Sequence, residues 1–389
     1  MRVLWVTAEP PDRDGGGGNI RQSLLLQAVA AAGHDVHLLL AGGEPDRASR
    51  EACASITRLD VQPSWRPENR WAGRVLDLRL AIKGGPSELY DSAPARAALS
   101  RNWPTREVDV VLVEHAGLSP LVAHRREGER WACTLHNIAS GTAQALKDLA
   151  PGTRQRAMIA RDAQQAAAVE RRVVRDFDSV ITVSEEDAAL LPGPSFVVPN
   201  GVDLSRFTPT PVPLGSRLLF TGTLNYLPNV DGLQWFCREV LPLVHREVPE
   251  AVLDIVGRSP VAAVRALAES DGIELHPDVP EVLPYLQAGR VSVVPLRVGT
   301  GSRLKALEAL AAGRPVVGTT VGMSGLGLTD EAVVEDDPAA LAAALVRLLR
   351  DDSAARDLAA RGRRHVEQSF GWERLGSRLA DHLASLTER

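Results

Sequence analysis

Short β-branched apolar runs alternate along the chain with longer segments whose apolar residues recur every three or four positions. Runs of the first kind read as strands buried on both faces of a parallel sheet, and segments of the second kind as helices packed on them. In the first half the predicted strands are Val3–Thr7, Val36–Leu40, Val108–Val113, Ala132–Leu135, Val180–Val183 and Ser195–Val198, with helices at Asn19–Ala32, Leu118–Arg125 and about Thr153 to Arg175. In the second half Arg217–Thr221, Ala251–Val256, Ile273–His276, Val291–Val294 and Pro315–Gly318 read as parallel strands with helices between. That order predicts an α/β fold of two doubly wound, Rossmann-like domains. The proline-rich stretch Pro209-Thr210-Pro211-Val212-Pro213 reads as the linker, giving an N-terminal domain 1–208, a C-terminal domain 209–370 and a final helix within 371–389. Domains of this kind bind ligands at the carboxyl ends of their strands, which here predicts a cleft between the two.

The densest candidate chemistry lies between Val291 and Val317. After the strand Val291–Val294, Gly299-Thr300-Gly301 lets the backbone approach a ligand closely, and Ser302 is placed to cap the helix that follows. First-turn amides and the positive end of the helix dipole make this a site for an anion, with phosphate the natural occupant. Lys305 and Glu308 follow Ser302 at steps of three, on one side of the helix, so a cation can meet phosphate while a carboxylate accepts two ribose hydroxyls. Only three lysines stand among the 44 Lys and Arg residues, and one of them falls directly behind the glycine loop. The spacing is not that of a Walker A loop, because no Gly-Lys-Ser/Thr follows the first glycine at the required distance.

The pattern P-L-R-x-G-x-G-x-x-x-K-x-L-E-A-L-A, read from Pro295 to Ala311, resembles the retaining GT-B glycosyltransferases of the family usually numbered 4, in particular its bacterial sugar transferases. Further matches run along most of the chain. Val198-Pro199-Asn200-Gly201-Val202-Asp203 followed by Phe207 is similar to the family's interdomain junction. Phe220-Thr221-Gly222 through Asp231-Gly232 is similar to the start of its second domain, and Phe370-Gly371-Trp372 to its final-helix signature. The resemblance implies a nucleoside-diphosphate sugar donor, a hydroxyl acceptor and metal-independent transfer with retention of configuration. Donor contacts would then fall to Gly299, Thr300, Gly301, Ser302, Glu308, Arg297, Gly222 and Asn200, and catalysis to His136, Lys305 and Arg303.

Two departures from the pattern bear on the donor. Many members carry Glu where this chain has Thr300, a carboxylate that contacts the donor sugar. Many also carry Arg and Lys in the loop that here runs Gly222 to Asn229 with neither. Arg303, Lys305 and Arg297 are therefore expected to neutralise the diphosphate instead.

In the first half, Gly15 to Gly18 follow a strand and precede a helix but miss the G-x-G-x-x-G register, since Ile20 stands where a glycine is needed. In the resembled family a loop at this place closes over donor phosphate and acceptor, which makes Gly16, Gly17, Gly18 and the nearby Arg21 candidates. A mobile surface loop is the alternative. His136 lies just past the strand Ala132–Leu135, at the carboxyl edge of the first sheet, where a ligand-facing residue belongs. The resemblance aligns it with a histidine near the transferred sugar, whose imidazole or carbonyl supports developing oxocarbenium charge. His115 occupies a similar strand end.

Composition narrows the classes further. With 389 residues, 44% of them hydrophobic, the chain can fill two cores. A formal charge of −5 argues against a nucleic-acid binder. Residues 1–200 carry 24 basic and 25 acidic groups and residues 201–389 carry 20 and 24, so phosphate affinity has to arise from local amides and a few cations. Cys53, Cys133 and Cys237 are too scattered for zinc or a disulfide framework, and no metal-ligand cluster stands out, so neither cofactor nor metal is expected. Met1-Arg2 leads into an apolar run too short for a signal peptide, and no span of 18 apolar residues exists, which points to a cytoplasmic protein. The segment Trp65 to Lys83 mixes two tryptophans with five cations and two acids. It reads either as a surface helix burying Val75, Leu78 and Ile82, or as an interfacial helix or acceptor lip giving weak peripheral contact with the inner membrane face. The arginine-bearing stretch from Arg154 to Arg175 is a solvated helix face. The leading expectation is hexose transfer to a glycan, lipid carrier or natural-product acceptor. A sugar-nucleotide isomerase or hydrolase and a non-catalytic partner subunit are the alternatives.

Overall fold

The computed structural model describes residues 1–59, 92–150, 152–301 and 303–388. The segment Trp65 to Lys83 and Ser302 lie outside these. Two compact units emerge, Met1–Asn200 together with Trp372–Arg389, and Gly201–Gly371.

In the first unit β1 (Arg2–Thr7), β2 (Asp35–Leu40), β3 (Ser55–Arg58), β4 (Val110–Glu114), β5 (Arg130–Thr134), β6 (Ser179–Thr182) and β7 (Phe196–Val197) form one sheet in the order β3-β2-β1-β4-β5-β6-β7. Every adjacent pair is parallel. Alternation along β1 supplies both faces: Val3 and Trp5 join a core with Val36, Leu38 and helix Gly17–Ala31, while Leu4 and Val6 join a core on the other face with Val111 and Val113. The last helix, Trp372–Thr387, turns Leu375, Leu379 and Leu383 into the first of these cores. It crosses helix Gly17–Ala31 so closely that a Cβ added at Gly376 would lie 2.0 Å from the Cβ of Ala28.

The second unit repeats the architecture with β8 (Arg217–Thr221), β9 (Val252–Gly257), β10 (Ile273–Pro277), β11 (Val291–Val294), β12 (Val316–Gly318) and β13 (Val333–Val334), in the order β10-β9-β8-β11-β12-β13. Its pairs are again parallel. Leu218, Phe220, Leu253 and Ile255 face one core, and Leu219, Val256 and Val294 the other.

Three sequence expectations shift. The strands β3 and β13 escape periodicity because they are edge strands of four and two residues. The segment expected as an α-helix at Leu118–Arg125 is a 3-10 helix, Ala116–His124, with Pro120 inside, where proline removes an amide and crowds the preceding turn. The division between units falls at Asn200 and Gly201 rather than at 208. Phe207 is already in a core of the second unit, and the Val202 amide donates to the Phe370 carbonyl at 2.9 Å. The prolines from Pro209 to Pro213 are accordingly not the boundary. Arg314 hydrogen-bonds the carbonyls of Thr210 and Pro211, and Arg290 that of Pro213, which ties the stretch to the second unit.

Candidate active site

In a doubly wound sheet the loops after the two strands flanking the reversal of strand order diverge and leave a crevice at their carboxyl ends. In the second unit those strands are β8 and β11. The loop after β8 opens on Gly222, and the loop after β11 carries Gly299 and Gly301 at φ 122° and 84°, values that disfavour any side chain. Helix Leu304–Ala311 follows and sends Lys305 back to the β8 loop. Its Nζ donates to Asn229 Oδ1 at 2.8 Å and stands 3.9 Å from the centroid of the Phe220 ring. Asn229 Nδ2 donates in turn to the Thr223 carbonyl at 2.7 Å. A Cβ at Gly222 would fall 2.7 Å from Lys305 Nζ, so the amine lies against the backbone where only glycine fits. Burial, helped by Arg303 and opposed by Glu308, holds the Lys305 amine well below its ordinary value. One turn on, burial raises Glu308 to about 7 against the pull of Arg206 and Lys305.

The two arginines expected beside Lys305 are engaged differently. Arg303 is buried and donates to the carbonyls of Val321 (3.1 Å), Thr300 (2.7 Å) and Gly299 (2.9 Å), clasping the glycine loop from within. Arg297 makes a two-pronged pair with Asp231 at 2.9 and 2.5 Å. Thr300 therefore contributes its carbonyl to loop closure, a use that residue type does not reveal.

In the first unit the reversal lies between β1 and β4. The glycines after β1 are less of a loop than expected, because Gly17 and Gly18 already form the first turn of helix Gly17–Ala31, with Gly16 at its N-cap. Gly16 donates its amide to Asn19 Oδ1 at 3.2 Å. Arg21, 1% exposed, donates to the Pro199 carbonyl (2.8 Å) and Asn200 Oδ1 (3.2 Å). Asn200, expected on the donor, thus belongs to the first unit and its side chain bonds Arg21.

At the end of β4, Glu114 is 2% exposed and its Oε2 lies 2.6 Å from His136 Nε2. His115 stacks on the His136 ring with centroids 4.1 Å apart, and reaches that position with φ at 71°. Burial raises Glu114 to about 7 against His115 and Arg21, and lowers His136 to about 3 with help from Arg21. Burial and Arg21 thus both favour the neutral form of the His136 imidazole. Glu114 went unassigned in the sequence, where its only signal is a carboxylate closing an apolar strand one residue before His115.

A further trio was also invisible in sequence because β9 supplies one member and β10 the other two. Asp254, Glu274 and His276 offer ligand atoms within 4.8 Å of one another. Arg217 donates to both Asp254 oxygens at 2.6 and 2.7 Å and to Glu274 at 3.1 Å, so the group is an ion-pair network on β8, β9 and β10.

Two parallel sheets with diverging loops at their reversals define the GT-B class. The solved sucrose-phosphate synthase of Thermosynechococcus elongatus shares this fold, with a TM-score of 0.72 at 19% identity over 99% of both chains. Residues 16–205 match the glycosyl transferase 4-like domain, and residues 215–351 match glycosyl transferases group 1. Glycogen synthase of Mycobacterium tuberculosis is 30% identical over 98% of this chain and 94% of its own length. The D-inositol 3-phosphate glycosyltransferase of Geodermatophilus obscurus is 30% identical over 67% of this chain and 63% of its own. The chain belongs to the group 1 glycosyltransferase family, and is a sugar-transferring enzyme.

Proposed function

We propose that this enzyme moves a hexose from a nucleoside-diphosphate sugar to a hydroxyl of a glycan, lipid carrier or natural-product acceptor, with retention of anomeric configuration and without a metal ion. The observation that carries the reading is the delivery of Lys305 to the Gly222 loop, behind two positive-φ glycines and one turn before Glu308. Diphosphate oxygens placed there would meet the Lys305 amine in place of its contact with Asn229, and the Glu308 carboxylate would take the ribose hydroxyls. Charge growing on the departing diphosphate is met by groups already in place, usually the largest catalytic term. In the first unit the neutral His136 serves the transferred sugar, where an uncharged ring tolerates oxocarbenium charge and an imidazolium does not.

A thermal-shift screen with UDP-, GDP- and dTDP-sugars tests the reading. The matching donor at a hundred times its dissociation constant adds about 2.7 kcal/mol of stability. Glu308→Ala should reduce that gain by weakening binding about tenfold or more, as loss of a charged hydrogen-bond acceptor does. A shift of the same size in Glu308→Ala would remove this carboxylate from the donor site.

A further inference from the structure

A carboxylate as deep as Glu114 is tolerated only when its charge is matched and its oxygens are hydrogen-bonded. Three elements converge on it. Helix Gly17–Ala31 brings the buried guanidinium of Arg21, whose charge acts on the carboxylate. β5 brings the Thr134 hydroxyl, a hydrogen-bond partner, and the buried thiol of Cys133. The turn after β5 brings His136 Nε2 to 2.6 Å.

We propose that Glu114 is a positioning residue, which accepts the Nε2–H of His136 and so leaves the Nδ1 lone pair as the working atom. The proposal rests on the reading of His136 as a residue at the transferred sugar. Three contacts fix the ring. Glu114 holds its Nε2 edge, His115 covers a face at 4.1 Å between centroids, and Gly18 lies beside Nδ1, where an added Cβ would come to 3.4 Å. Among the described residues, the ring nitrogen outside the Glu114 contact is thus the one beside the glycine-rich helix start. As an unprotonated nitrogen it accepts a hydrogen bond from a sugar hydroxyl and presents electron density to a developing cation; the other tautomer would present an N–H in the same place. The hydrogen bond made by one ring nitrogen decides which proton the other carries.

Nitrogen-15 spectra of histidine-labelled wild type, with His136→Ala identifying the resonances, should show Nε2 protonated and Nδ1 bare at neutral pH. Glu114→Gln offers Nε2 both an acceptor and a donor, so the two tautomers should mix. Release of nucleoside diphosphate from the donor chosen by thermal shift, with a panel of mono- and disaccharide acceptors, should show kcat down about tenfold or more and donor KM within about threefold. A wild-type ring protonated at Nδ1 overturns the proposal without use of any variant. Wild-type tautomer and kcat in Glu114→Gln, with His136→Ala impaired, overturn the proposal alone. Full turnover in His136→Ala overturns instead the reading of His136 on which it rests.

Discussion

Lys305→Ala removes the amine that reaches the Gly222 loop, and the structure says how its effects should divide. Its Nζ is held by Asn229 at 2.8 Å and by the Phe220 ring at 3.9 Å. Those gains offset the desolvation that depresses its pKa, so truncation should change stability little. A diphosphate favours the ammonium form, since a nearby opposite charge raises an amine's pKa. Binding therefore takes up protons at any pH where the free protein holds part of the amine neutral, and affinity falls as pH rises through the amine's pKa in the free protein. A charge-assisted hydrogen bond to ground-state diphosphate contributes about 1.5–3 kcal/mol, or about 10- to 100-fold in Kd. A preorganised cation facing the leaving group contributes about 2.7–4 kcal/mol in the transition state, or about 10²–10³ in kcat. Bare nucleoside makes neither contact and should bind the variant within about threefold of wild type. Calorimetry with nucleoside and nucleoside diphosphate, in two buffers of different ionisation enthalpy across the alkaline range, reads the affinities and the proton uptake together. Steady-state release of nucleoside diphosphate gives kcat. Equal loss of affinity for nucleoside and diphosphate, an unchanged kcat, or heats independent of buffer at every pH would refute the reasoning.

Arg303→Ala should act on the loop rather than on phosphate. With its three carbonyl contacts gone, the melting temperature without ligand falls by the equivalent of about 1–3 kcal/mol, and Arg303→Lys, lacking the planar fork, does not restore it. Unchanged melting with a selective loss of diphosphate affinity would instead place the guanidinium on the donor. Gly376→Val forces atoms into the 2.0 Å approach to Ala28 and should destabilise the first unit by about 1–3 kcal/mol; a thermal scan matching wild type would show that the final helix is not held by that contact.

Much of the donor-site proposal was legible in the linear pattern, because its parts are local. Gly299, Gly301, Lys305 and Glu308 are within ten residues of one another, and helix periodicity alone sets Lys305 and Glu308 on one side. What periodicity does not contain is the direction of a long side chain. Arg303 stands just before helix Leu304–Ala311 with non-helical backbone angles, and it turned inward to carbonyls that only loop closure creates. Arg297 met Asp231, 66 positions away, for the same kind of reason.

The alternation of buried runs and amphipathic segments, together with the junction and glycine-loop motifs, determined by itself the α/β class, the GT-B resemblance and the sugar-transferase family. Those properties depend on short-range periodicity and on motifs read within one segment. Tertiary structure alone decided that the chain divides at Asn200, that the prolines from Pro209 to Pro213 are bound into the second unit, and that Arg217 joins Asp254, Glu274 and His276. It alone also brought Glu114 to His136 across two parallel strands. Parallel pairing sets side by side residues that lie fifteen or more positions apart, and burial then fixes which of them share protons or charge. Neither the pairing nor the burial is written in the spacing of any one segment.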